Sequence, residues 1–372
     1  MKKTSTRLAD GRELVYYDSR DDVVRDAVDT RPLDPVSTAA EIRHDALLGD
    51  SVAIASHRQG RTYHPPADQC PLCPSADGRQ SEIPDTGYDV VVFENRFPSL
   101  AGEYGRCEVV CFTSDHDASF ADLTEERAAL VLEAWTDRTA ELAELPGVEQ
   151  VFCFENRGAE IGVTLAHPHG QIYGYPFTTP RTALMLRSLD EHRERTGGRN
   201  LFDDLVERER AAGERVVLET GHWLAFVPYA AHWPYEVHLY PKRRVPDLRA
   251  LEGEARTEFP QVYLELLRRF DRIFDGTAGG KGGGKGGGQG GRTGGGRESA
   301  GEPPTPYISA WHQAPFGDPR RDAFATHLEL FTIRRTSGKL KFLAGSESGM
   351  SVFINDVPPE AAARRLREVA ST

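Results

Sequence analysis

The stretch His167-Pro168-His169-Gly170-Gln171-Ile172-Tyr173 decides how the rest of the chain is read. Side chains two residues apart in an extended segment project from one face, so His167 and His169 share an edge. Gly170 beside them leaves room for another backbone or a phosphate to approach closely. Two readings fit this pattern. One is a strand with two surface histidines; the other is a nucleophilic imidazole built beside a metal ligand. What the remaining sequence supplies separates them.

Cys70-Pro71-Leu72-Cys73 has the two-residue gap that lets both thiolates reach one zinc ion. Zinc needs two further ligands, and the chain has no second cysteine pair, so histidines must complete the tetrahedron. His116, which follows a predicted strand, and His167 are the candidates. A redox pair would call for a thioredoxin-like surrounding that is missing, and two packed free thiols are the plain alternative. With His167 as a ligand, His169 is left free. A neutral imidazole is a competent nucleophile toward phosphorus, provided its other nitrogen is hydrogen-bonded to fix the tautomer. Charge building on a phosphate needs donors already in place. Asn156, Gly158, Gly162 and Thr164 lie just upstream and Gln171 just downstream, a phosphate collar around one histidine.

The bulk properties exclude several classes. A chain of 372 residues with 39% hydrophobic and 27% charged residues has enough for a packed core and for two domains or two similar halves. Its net charge of -12 argues against a nucleic-acid coat protein, which relies on clustered cations, yet leaves room for an anionic small molecule at a local cationic site. Met1-Lys2-Lys3 is followed by polar residues, so no signal peptide is expected, and no apolar run is long enough to span a bilayer. A cytoplasmic protein with no membrane or nucleic-acid partner is the expectation. Its five cysteines are too unevenly placed for a disulfide scaffold.

Residues 1–40 read as an accessory N-terminal extension with a hairpin around Asp10-Gly11. Strands are expected at Val52 to Ala55, Val90 to Phe93, Glu108 to Phe112 and Val151 to Glu155. A helix from Thr124 to about Leu145 has Ala128, Val131, Leu132, Trp135 and Leu142 on one face and stops at Pro146-Gly147. This grammar recurs in the second half: strands at Val216 to Leu218, Trp223 to Val227 and Glu236 to Tyr240, then a helix over Phe259 to Phe274. The expected division is therefore a half over 41–200 holding the zinc site and nucleophile, and a second half over 201–372. The glycine-dominated run 277–301 cannot bury enough apolar surface to offset its chain entropy, so a disordered insertion is expected. A last helix from Pro358 should dock through Ala361, Leu366 and Val369.

The segment from Phe154-Glu155-Asn156-Arg157-Gly158 through His167-Pro168-His169-Gly170-Gln171 resembles the galactose-1-phosphate uridylyltransferase family, a branch of the histidine-triad superfamily. Other matching segments are Arg43-His44-Asp45 to Arg58 and Arg61, Cys70/Cys73, Asn95-Arg96-Phe97, Cys111 to His116, Trp233-Pro234-Tyr235-Glu236, Trp311-His312 to Pro315-Phe316, and Lys341-Phe342-Leu343-Ala344-Gly345. The resemblance implies an α+β fold of two histidine-triad-like halves, with antiparallel sheets and covering helices, paired into a homodimer. It also implies a ping-pong exchange in which His169 takes the uridylyl group from UDP-glucose and galactose 1-phosphate then accepts it. Gln171 stands where related hydrolases carry a third histidine. Glutamine donates a hydrogen bond but cannot protonate a leaving group, which suits transfer.

By the same resemblance the zinc ligands are Cys70, Cys73, His116 and His167, and nucleotide contacts fall on Asn95, Arg96, Asn156, Gly162, Thr164 and Gln171. Arg58 and Arg61 are expected to reach a neighbouring subunit's site, and Lys341, Phe342 and Glu347 fall where the family holds the hexose. A second metal site of some relatives matches at His312 and His327, but Met185 replaces its carboxylate and Glu329 its last histidine. A thioether is a poor ligand for a hard ferrous ion, so this site is expected to be absent or altered. Two other functions remain open: an ADP-sugar phosphorylase or adenylyltransferase of the same superfamily, and a zinc-stabilised nucleotide-binding module that is not an enzyme.

Overall fold

Alternating apolar side chains along the strands give the sheet two covered faces. Val15, Tyr17, Val90 and Val92 point into the large core under the helices, while Leu14, Tyr16, Val91 and Phe93 pack against Cys70, Leu72, Ile83 and Tyr88 on the other side. The structure is a computed structural model and describes residues 1–36, 41–60, 64–76, 78–276 and 304–371. The expected glycine-rich insertion at 277–301 and the candidate Arg61 lie outside the described residues.

The strands are β1 (Lys2–Arg7), β2 (Glu13–Asp18), β3 (Glu41–Asp45), β4 (Asp50–Ile54), β5 (Val90–Glu94), β6 (Arg106–Cys111), β7 (Gln150–Arg157) and β8 (His169–Tyr175). They continue as β9 (Val216–Glu219), β10 (Trp223–Phe226), β11 (Tyr235–Pro241), β12 (Tyr307–His312), β13 (His327–Thr332), β14 (Arg334–Thr336) and β15 (Lys339–Leu340). The helices are α1 (Glu125–Ala143), α2 (Pro180–Thr196), α3 (Leu201–Ala212), α4 (Gly253–Arg272), α5 (Gly345–Met350) and α6 (Pro359–Glu368). Eleven strands form one sheet in the order β1-β2-β5-β6-β8-β7-β12-β13-β11-β10-β9. The fold is α+β, and the strands of the two expected halves join edge to edge where β7 pairs antiparallel with β12, Tyr307 opposite Arg157. Apart from the edge strand β1, the order is symmetric about that seam, so β13 is the counterpart of β8. The expected N-terminal extension contributes β1 and β2, which continue the main sheet through the pairing of β2 with β5.

The helix expected from Thr124 is α1, whose first turn is capped by the Thr124 hydroxyl accepting from the Arg127 amide. It lies with α4 and α6 over the face carrying Val151, Ile172, Val237 and Leu239. Beneath it Arg138 is 2% exposed and donates to the Glu108 carboxylate at 2.6 and 2.9 Å, tying helix to strand. Helix α6 docks through Ala362, Ala363, Leu366 and Val369, so the apolar stripe starts one residue later than Ala361. Helices α2 and α3 were not foreshadowed by the sequence; they cover the opposite face of the C-terminal strands through Leu186, Leu189 and Phe202. Their apolar residues, Leu186 and Leu189 in α2 and Leu201, Phe202, Leu205 and Val206 in α3, recur at helical spacing among many charges.

At Gly170 the close approach is made by another backbone and not by the cavity side of the strand. A Cβ there would lie 2.7 Å from the Phe154 carbonyl oxygen and 2.8 Å from the Phe112 ring, so the missing side chain lets β8 pack under the helices. It faces away from the side on which His169 stands, because neighbours along a strand alternate.

Next to the β7–β12 seam, Glu155 is 3% exposed and accepts a hydrogen bond from the Tyr307 hydroxyl at 3.0 Å. Burial pushes its carboxyl up to about 7 despite the nearby Arg157. A carboxyl whose folded value exceeds its unfolded one contributes most stability below the unfolded value, and that contribution is lost as pH rises through 7. Glu155→Gln is therefore expected to raise the melting temperature by a few degrees at pH 8 and to leave it nearly unchanged at pH 5. An equal shift at both pH values in thermal unfolding would contradict the assignment.

Candidate active site

Strand β8 alternates half-buried His169, Gln171, Tyr173 and Tyr175 with buried Gly170, Ile172 and Gly174. Of the first set, His169, Gln171 and Tyr173 line a cavity of about 510 Å³ on the side of the sheet away from α1. Register carries the wall sideways across the sheet: Phe93 on β5 is opposite Val109 on β6, Val109 opposite Gln171, and Gln171 opposite Phe154 on β7. The loop between β7 and β8 closes the cavity with Gly162, Val163, Thr164 and Leu165. Gly162 has a φ of 82°, a left-handed backbone that glycine adopts without penalty. Asn95, Arg96, Asn156 and Arg58 complete the polar lining. Arg58, expected to reach a neighbouring subunit, already lines the cavity of its own chain.

The two histidines of the opening stretch divide between two environments. His167 precedes β8, is 1% exposed and turns toward the cysteines; His169 begins the strand and faces the cavity. One hydrogen bond joins them, from His169 Nδ1 to the His167 carbonyl at 2.7 Å. That carbonyl can only accept, so Nδ1 carries the proton and Nε2 keeps its lone pair. Burial also lowers the His169 value from the ordinary imidazole range, keeping the ring neutral. Gln171 is fixed in the same way: its Oε1 accepts from the Tyr173 hydroxyl at 3.1 Å, leaving the amide as a donor toward the cavity. Asn95 Oδ1 accepts from the Phe97 amide at 2.8 Å, which likewise turns its NH2 outward. At the β8 end the cavity presents the His169 lone pair beside the Gln171 amide donor, the arrangement needed to attack a phosphorus centre.

Cys70, Cys73, His116 and His167 place their donor atoms within 4.8 Å of one another. Cys73 Sγ lies 3.3 Å from His116 Nδ1 and 3.5 Å from His167 Nδ1. His167 Nε2 faces the Thr113 carbonyl at 2.9 Å and the Tyr88 hydroxyl at 2.8 Å, so its ligating nitrogen is held toward the thiols. Tyr88 in turn donates to the Leu72 carbonyl at 3.0 Å. Neither Tyr88 nor Thr113 was legible as a partner, since only the fold brings them beside His167. Burial, reinforced by Cys70, pushes the Cys73 thiol up to about 12, and burial lowers His167 to about 4. Buried thiols of this kind ionise when a cation compensates them, and two thiols with two imidazoles are the donor set of a tetrahedral ion.

The second cluster differs from the expected one. Its close donors are His238, His327 and Glu329, within 4.8 Å of one another, rather than His312, His327 and Glu329. Strand order explains the change: β11 places His238 directly opposite Glu329, while β12 places His312 opposite His327. His312 instead contacts Glu329 Oε2 at 3.2 Å. Glu329 Oε1 is held by the Arg181 guanidinium at 2.6 Å and by His238 Nε2 at 3.3 Å. Met185 packs in the apolar cluster under α2 and α3. A divalent ion at this cluster would compete with the Arg181 guanidinium already seated on its carboxylate.

Lys341, Phe342 and Glu347 are brought together elsewhere. Lys341 Nζ contacts Glu347 Oε1 at 2.8 Å and Phe342 is 71% exposed, and none of the three lines the His169 cavity. Among the described residues no helix is long and apolar enough to cross a membrane.

Residues 99–179 match the family described as galactose-1-phosphate uridyl transferase, N-terminal domain, and residues 186–372 match its C-terminal domain. A galactose-1-phosphate uridylyltransferase of Streptomyces lividans is 66% identical, covering 100% of this chain and 98% of the relative. One from Thermotoga maritima is 34% identical over 88% of this chain and 98% of its own. A solved uridylyltransferase superposes with a TM-score of 0.71 at 28% identity, covering 88% of this chain and 97% of its own. An ADP-glucose phosphorylase from Arabidopsis thaliana, solved with bound ADP-glucose, shares the fold at a TM-score of 0.64 and 20% identity, covering 90% of this chain and all of its own.

The metal reading is checked by metal content after purification without added salts. One ion per chain is expected, with Cys70→Ser losing it and much of the fold, because structural zinc contributes roughly 10–16 kcal/mol of apparent binding energy in small domains. Glu329→Gln should leave the content at one. Two ions per chain, one of them lost in Glu329→Gln, would contradict the account of the second cluster.

Proposed function

The chain belongs to the galactose-1-phosphate uridylyltransferase family, and on that premise we propose that it transfers UMP from UDP-glucose to galactose 1-phosphate through a uridylyl group carried on His169. The observation that carries the proposal is the His169 Nδ1 bond to the His167 carbonyl, which leaves Nε2 as the lone pair in a donor-lined cavity.

In the first half-reaction Nε2 forms a bond to the α-phosphorus as the bond to the β-phosphate oxygen breaks, and glucose 1-phosphate leaves with that electron pair. Galactose 1-phosphate then attacks the same phosphorus through its phosphate oxygen, releasing Nε2 and giving UDP-galactose. Both leaving groups are phosphates or an imidazole, so neither needs a strong acid, and Gln171 serves as a donor to the phosphate oxygens. Asn95, Arg96, Asn156, Gly162, Thr164 and Arg58 form the nucleotide and phosphate wall. Lys341, Phe342 and Glu347 are assigned to the hexose, and since they lie outside this chain's cavity, a second copy in a homodimer is the way they reach one; Arg61 is assigned to the same junction. Zinc at Cys70, Cys73, His116 and His167 would fix the His167 peptide from which His169 is oriented. A cytoplasmic location agrees with sugar-phosphate substrates.

The reading is tested by exchange of labelled glucose 1-phosphate into UDP-glucose with galactose 1-phosphate omitted, which only a two-step mechanism supports. Exchange is expected for the native chain and should fall at least about a thousandfold in His169→Asn with the fold kept. Exchange into ADP-glucose but not UDP-glucose would favour the adenylyl alternative, unaltered exchange in His169→Asn would rule out His169 as the carrier, and no exchange by the native chain with nucleotide affinity unchanged in His169→Asn would favour a binding module.

A further inference from the structure

Among the residues lining the His169 cavity, Glu82 is assigned no role in the reaction described above. It is 7% exposed, and two guanidiniums pin it: Arg12 Nη2 to Oε2 at 2.5 Å and Arg31 Nη1 to Oε1 at 3.1 Å. Arg12, itself 3% exposed, is held by Asp10 at 2.7 Å and by the Glu94 carbonyl at 2.9 Å. The Glu82 amide donates to the Pro71 carbonyl at 3.0 Å, fixing its backbone to the cysteine loop. Such a network is costly to desolvate, and placing its carboxylate on the wall of a cavity suits a group that must be held still for a ligand.

Its place in the cavity identifies the part of the ligand it meets. His169 and Gln171 lie on β8, while Glu82 is tied through Arg12 to the end of β5, two strands away. Two strand spacings are about 10 Å, the reach from an α-phosphate across a ribose to a base. The wall between is apolar, made of Leu72, Phe93 and Val109, which suits the faces of a flat ring. The ring's polar edge must then meet Glu82.

We propose that Glu82 is the base-reading residue, accepting the N3–H of a uracil ring. The inference rests on the cavity being the nucleotide site. A carboxylate engaged by two guanidiniums offers acceptors and no donor. Uracil presents its single ring N–H between two carbonyl oxygens, so its edge meets Glu82 with a donor. Adenine presents N1, an acceptor, at the corresponding edge, and cytosine presents an unprotonated N3. A site that holds a buried acceptor ready rejects a base that cannot donate to it.

The test compares UDP-glucose with its N3-methyl analogue and CDP-glucose in the full-length protein, reading kcat and KM for nucleotidyl transfer. The native chain is expected to prefer UDP-glucose over each by at least about tenfold in kcat/KM, the difference lying mainly in KM. Glu82→Ala should shrink that preference to within about threefold, and if the alanine variant fails to fold, Glu82→Gln, which keeps the shape beside Arg12 and Arg31 but adds an NH2 donor able to meet the N3 of cytosine, should narrow the gap between CDP-glucose and UDP-glucose. Equal use of the three substrates by the native chain, or a variant that loses activity with all of them in proportion, would overturn the assignment while leaving the transferase reading intact. Transfer from ADP-glucose with none from UDP-glucose would overturn both.

Discussion

The hydrogen bond from His169 Nδ1 to the carbonyl of His167 is the constraint on which the rest of the site depends. It fixes which nitrogen holds the proton, points the remaining lone pair into the cavity, and links His169 to the peptide of a residue that belongs to the cysteine cluster. An imidazole with both nitrogens free would divide its population between tautomers and orientations, and only part of it would be ready to attack. In the proposed mechanism the Cys70 and Cys73 cluster would therefore act through geometry. It holds His167, His167 holds the carbonyl, and the carbonyl holds His169.

The sheet extends the same logic. With Phe93, Val109, Gln171 and Phe154 opposite one another across four strands, the apolar wall and the donors stand on one rigid surface. Gly170 and Gly174 lie on the other face, where small residues let helices and neighbouring strands close in; a Cβ on Gly174 would meet Val148 at 3.1 Å. Alternation along β8 thus divides one short segment between chemistry and packing. On the far side of the seam the counterpart strand β13 carries His327 and Glu329, but there a guanidinium from α2 holds the carboxylate. Two similar strands in one sheet have been put to different uses.

Much of this was legible because it depends on spacing along the chain. The two-residue gap of Cys70 and Cys73, the pair His167 and His169, the hairpin at Asp10-Gly11 and the capped, periodic helix α1 all reveal themselves within a few residues. What the sequence concealed depends on which strands are neighbours. His238 enters the second cluster because β11 lies beside β13, and Tyr88 reaches His167 from 79 residues away. Arg181 and Glu329 lie 148 residues apart, and Glu82 joins Arg12 across 70. Of the two approaches that Gly170 allows, by another backbone or by a phosphate, the pleat selects the backbone, turning it toward the Phe154 carbonyl and the Phe112 ring. Helices α2 and α3 escaped notice because only a few of their positions, such as Leu186, Leu189 and Phe202, are both apolar and buried.

The central claim is that His169 Nε2 becomes covalently uridylylated. Incubation of the protein with UDP-glucose alone, followed by intact mass measurement and fragmentation of the peptide spanning His167 to Tyr173, tests it directly. The account predicts the mass of one uridylyl group per chain, located on His169, lost in mild acid and discharged by galactose 1-phosphate. An unmodified His169 during turnover, or a uridylyl group on another residue, would contradict it.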